Sequence, residues 1–152
     1  MSKEKIYQND KLKYVLPECM HYIGIDIYHS DVVLIVCNKE EVHDLLLKAK
    51  YSHKCALSVA NCLNDDLDMG GCYIYTKEDG VFNRFIWFNH IPKTIFDYSC
   101  LAHEVEHCVF HILDSIGVEH TMESDEAYAY LTGYIFGNID KWVNDYRDEH
   151  EE

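Results

Sequence analysis

The hydrophobic pattern of this chain changes period for good near Pro92, and that change limits the fold more than any other feature. Before it, apolar residues gather in short runs rich in Ile, Val and Tyr, the composition of strands. Tyr22 to Tyr28 and Asp31 to Cys37 read as two strands of a hairpin around His29-Ser30. Cys72 to Thr76 and Asn83 to Asn89 read as a second hairpin, closed by Glu78-Asp79-Gly80, whose Asp-Gly pair favours a tight turn. One helix interrupts this part: Asn38 as N-cap, Glu40 and Glu41 in the first turn, then Val42, Leu45, Leu46 and Ala49 at helical spacing. After Pro92, Thr94 or Asp97 caps a helix expected to reach about Ser115, where Gly117 supplies a stop. Thr121 or Ser124 caps a last helix through Ala127, Leu131, Tyr134, Ile135 and Ile139 toward Trp142. A small, mainly antiparallel sheet packed on helices, an α+β fold, follows from this order. The 152 residues suit a single domain with one core, its polar end from Arg147 to Glu152 expected to fray.

Charge narrows the function classes. Thirteen Lys plus Arg stand against 27 Asp plus Glu, a formal charge of -14, and the lysines do not cluster. Such a surface repels a nucleic-acid backbone, so no nucleic-acid partner is expected. Apolar runs such as Val32 to Cys37 are far too short to cross a bilayer, and the charged N-terminus lacks the apolar stretch of a secretory signal. Seven cysteines, at 19, 37, 55, 62, 72, 100 and 108, are odd in number and show no CxxC spacing. They read as free thiols in a reducing cytoplasm.

The chemistry is concentrated in Leu101-Ala-His-Glu-Val-Glu-His-Cys-Val-Phe110, which contains H-E-x-x-H. On a helix, His103 and His107 project from one face a turn apart and can hold one zinc ion through their imidazole nitrogens. Glu104 sits where its carboxylate reaches a water on that metal, the position of a general base. A catalytic zinc usually takes three protein ligands, so another donor is required. His111 continues the series but lies about 12 Å along the axis from His103, which makes it an exposed or core-edge histidine. The last predicted helix offers Glu126, with Tyr130 one turn later on its own face, and Glu123 one turn earlier. Either acid also serves simply as a first-turn carboxylate on a helix dipole.

Over residues 95 to 140 these motifs resemble the gluzincins, zincin metallopeptidases in which a downstream glutamate completes the zinc site. The Glu126-Ala-Tyr-Ala-Tyr-Leu131 segment is also similar to the second motif of ImmA/IrrE-type metallopeptidases. The resemblance implies a minimal zincin-like domain with two C-terminal metal-binding helices, His103, His107 and Glu126 as zinc ligands, and Glu104 as acid/base. It also implies a cytoplasmic peptidase whose edge strand lies against a peptide or protein substrate. Two features depart from the pattern: the variable pair of the motif is Val105-Glu106, with an extra acid, and position 113 is Leu, which excludes a metzincin third histidine. Tyr130 or His120 is the candidate donor to a developing oxyanion. Asn83 to Asn89 is the candidate edge strand for β-addition, or else an interior strand. Two other readings stand beside the peptidase. One is an acidic interaction or inhibitor protein, which accounts for the charge. The other is a structural zinc clamp between the C-terminal helices.

Overall fold

The computed structural model describes residues 5–9, 12–64 and 70–151. A four-stranded sheet carries the chain, in the order β3 (Met20–Ile25), β4 (Ser30–Val36), β6 (Val81–Phe88), β5 (Gly71–Glu78). β3 with β4 and β5 with β6 are antiparallel hairpins, while β4 and β6 run parallel where the hairpins meet. The sheet is therefore mixed, mainly antiparallel, and the fold is α+β. Outside it, β1 (Lys5–Asn9) and β2 (Leu12–Leu16) pair with each other. Four helices complete the order: α1 (Val42–Lys48) and α2 (His53–Asn64) between β4 and β5, then α3 (Ile95–Ser115) and α4 (Asp125–His150).

Side chains on alternating positions of the central strands explain the layering. Val33 and Ile35 of β4, with Phe85 and Trp87 of β6, pack against Val42, Leu46, Val59 and Leu63 of α1 and α2. Val32, Leu34 and Val36, with Ile86 and Phe88, face Leu101, Val105, Cys108 and Ile112 of α3 and Leu131, Ile135, Ile139 and Trp142 of α4. A strand buried on both faces reads as a continuous apolar run, as β4 does. The Asp79-Gly80 turn takes left-handed dihedrals at both residues (φ 50 and 80) and closes β5 onto β6 with Glu78 opposite Val81.

Several elements differ from the sequence reading. The first strand stops at Ile25, because Asp26–Tyr28 form a single 3-10 turn that ends with His29 at φ 47. The 42–49 helix is α1, ended by Lys50 at φ 69, and α2 follows directly, an element the sequence reading did not place. α4 runs on to His150, where His150 Nε2 meets Glu18 at 2.7 Å and Lys93 pairs with Glu151 at 2.9 Å. Asn83 to Asn89 proves interior: β6 lies between β4 and β5, and β5 is the sheet edge beside α3. The cysteines are free thiols. Among the described residues no helix is long and apolar enough to cross a membrane.

Candidate functional site

α3 is positioned by its first turn. Thr94 and Asp97 form a capping box: the Thr94 hydroxyl accepts from the Asp97 amide at 3.2 Å, and the Asp97 carboxylate accepts from the Thr94 and Lys93 amides at 2.8 and 2.9 Å. At the far end Gly117, at φ 79, lets the Val118 amide return to the Leu113 carbonyl at 2.9 Å. Leu101, Val105, Cys108 and Ile112 bury one side of the helix, which leaves His103 and His107 on its exposed side. Their Nε2 atoms lie 3.0 Å apart. Two nitrogens on one tetrahedral zinc, each at about 2.05 Å, are separated by about 3.3 Å, so the pair stands close to a chelating geometry.

Glu104 turns the other way. It is only 5% exposed, and its Oε2 accepts from the Tyr73 amide of β5 at 2.6 Å. The Tyr73 amide therefore points away from β6, and by the alternation of an antiparallel ladder so do the backbone groups of Tyr75 and Lys77. Glu104 occupies one donor of the sheet edge, and among the described residues the outward backbone groups of Tyr75 and Lys77 have no backbone partner.

Between β5, α3 and the segment after α3 lies a cleft of about 680 Å³, lined by Tyr73, Tyr75, His107, Phe110, His111, Asp114, Val118, Glu119, His120 and Tyr128. His111 is fixed within it. Arg84 Nε, which can only donate, points at His111 Nδ1 from 3.4 Å, so that nitrogen accepts; the Tyr73 hydroxyl donates to it at 2.6 Å. The proton of the neutral ring then sits on Nε2. Burial, with the Arg84 charge behind it, pushes the His111 pKa down, and burial pushes that of Tyr73 up, so Tyr73 stays a donor. The Tyr75 ring stacks on His111 at 4.0 Å between centroids.

The structure gathers some of the expected residues and not others. His103, Glu104 and His107 lie on consecutive turns of α3; of these His107 lines the cleft, as does His120, whose Nε2 stands 3.9 Å from Asp125. Tyr130 is 65% exposed and does not line the cleft; Tyr128 does, its hydroxyl donating to the Val118 carbonyl at 3.0 Å. Glu126 is exposed. On α4 the side toward α3 is marked by Thr132, which donates to Glu106 at 3.0 Å, and the opposite side by Tyr134, which donates to the Gly24 carbonyl at 2.9 Å. At about 100° per residue, Glu126 is turned about 120° from Thr132 and about 80° from Tyr134, so it leans away from the histidine pair. Glu123 is exposed in the connection before α4. Among the described residues, the one set of three donor side chains within 4.8 Å of one another is Glu18, Glu149 and His150, at the far end of α4.

No family model, curated protein or solved structure matches this chain. The lining residues that the sequence reading passed over did leave a signal. Asp114 continues the helical spacing of His103, His107 and His111, and Tyr73 and Tyr75 alternate on one face of β5.

Proposed function

We propose that the protein is a zinc-dependent peptidase, with His103 and His107 as two of its metal ligands. The observation that carries this reading is the 3.0 Å approach of two Nε2 atoms beside a cleft that runs along an open sheet edge. Two imidazoles on adjacent turns suit zinc, and they need a third donor from the segment that follows α3. Glu126 was the sequence's choice there, but His120 is the histidine of that segment that shares the cleft with His107.

Zinc held there would polarise a scissile carbonyl and acidify water. The chain's own groups supply the rest. Outward backbone groups of Tyr75 and Lys77 accept an extended peptide as an added strand. The His111 Nε2–H is a fixed neutral donor in the cleft, suited to a substrate carbonyl and better placed than Tyr130. Glu104, held at β5 by the Tyr73 amide, would serve as proton acceptor on releasing that amide and turning toward the histidine pair.

The bond from the Tyr73 amide also favours a second reading, in which Glu104 is an edge-strand clamp and the zinc is structural. Glu104→Gln separates the two. For a peptidase, zinc content and melting temperature stay close to those of the parent while hydrolysis of unfolded protein substrates falls by at least about a hundredfold. Unchanged chelator-sensitive hydrolysis in this variant would remove Glu104 from catalysis.

A further inference from the structure

The cleft has a chemical character that the peptidase reading does not use. Its walls combine π faces with unneutralised acids. Tyr73, Tyr75, Phe110 and Tyr128 supply the rings, Asp114 and Glu119 supply the carboxylates, and no Lys or Arg lines it. Neither acid has an ion-pair partner among the described residues. Two cations stand nearby and both are spent elsewhere: Lys77 Nζ lies 4.8 Å from the Phe82 ring centroid, and buried Arg84 donates to Ser115 at 3.2 Å. The histidine at the centre of the wall adds no positive charge while its Nδ1 accepts from Tyr73 and Arg84.

We propose that this cleft selects an extended polypeptide segment carrying a lysine or arginine side chain. The segment pairs with the open edge of β5 at Tyr75 and Lys77, and the basic side chain enters between the aromatic rings and reaches Asp114 and Glu119. Ring faces attract a cation, and more strongly as water is excluded. The carboxylates add charge complementarity, and the -14 charge of the whole chain draws a basic partner in by long-range steering. A basic side chain can lay its apolar stem along the rings while its head stays at the acids. This inference deepens the peptidase reading, since it names the substrate class of the same cleft.

Binding tests it without relying on turnover. Three fluorescein-labelled alanine-threonine decapeptides, with lysine, norleucine or glutamate at one central position, are titrated by anisotropy against the unmodified protein in a chelator at low ionic strength. The lysine peptide is expected to bind at least about tenfold tighter than the norleucine one, and the glutamate peptide weakest. Asp114→Asn with Glu119→Gln should remove the lysine advantage while the melting temperature holds. No measurable binding of the lysine peptide, equal binding of all three, or an advantage that survives the double variant would overturn the proposal. Because the chelated protein does no zinc chemistry, lysine-selective binding without any cleavage in zinc-loaded protein would sink the peptidase reading alone. Cleavage without a basic preference would sink this inference alone.

Discussion

Asp97 shows how one side chain fixes the histidine pair from two turns away. Its carboxylate ties the Lys93 and Thr94 amides and meets His90 Nε2 at 3.1 Å, which sets where α3 begins and hence where positions 103 and 107 point. Burial disfavours its charge, but the hydrogen bonds from Lys93, Thr94 and His90 outweigh that and hold its pKa at about 2. A folded-state pKa below the unfolded one stabilises the native protein above about pH 4, and that stability is lost as pH falls toward about 2. Asp97→Asn should therefore cost about 1 kcal/mol at pH 7 and only about a third of that near pH 2.5, measured by urea denaturation at both values. An equal cost at both would show that the charge is not what matters. The histidine pair itself was legible because the spacing of four is a local property of any helix. No such local rule fixes where Glu126 points. The rotation of α4 is set by the burial of Leu131, Ile135, Ile139 and Trp142 against the sheet, and no residue near Glu126 announces that it leans outward. Competition with a zinc-selective dye checks the assignment: His120→Ala is expected to weaken zinc binding more than Glu126→Ala or Glu123→Ala, and the reverse order would restore Glu126.

Among the elements, β5 does the most to shape the site. The hairpin with β6 was readable from Asp79-Gly80, but which strand becomes the edge depends on where the second hairpin docks on β4, a long-range choice. The apolar faces of β6 decide it. Ile86 and Phe88 fill one layer and Phe85 and Trp87 the other, so β6 belongs in the interior, while β5 exposes Tyr75. α2 escaped the sequence reading for a related reason. Its buried face is made of Cys55, Ala56, Val59, Ala60 and Leu63, mostly small residues that announce a helix weakly but let it pack closely on the sheet. Close approach also explains Gly71 at the start of β5: a Cβ there would stand 2.7 Å from the ring of Phe88, which is fully buried. Gly71→Ala should destabilise the protein by about 1–3 kcal/mol in chemical denaturation, because the ring has no room to move. A stability equal to that of the parent would mean that β5 shifts freely against β6.

At the scale of the whole molecule, three layers place an acidic, aromatic cleft at the edge of the sheet and a histidine pair at its rim. The -14 charge fits a basic partner whether that partner is cleaved or merely bound, so charge alone does not separate a peptidase from an acidic interaction protein. The metal does. A second donor group, Glu18 with Glu149 and His150, stands at the opposite end of α4 and gives the measurement its control. Zinc per chain, determined by mass spectrometry on purified and zinc-equilibrated protein, shows whether the histidine pair holds a metal. Close to one zinc is expected in the parent and in His150→Ala, and close to none when His103→Ala and His107→Ala are combined. Zinc that survives the double substitution but is lost with His150→Ala would put the metal at Glu18, Glu149 and His150 and refute a zinc site at the histidine pair.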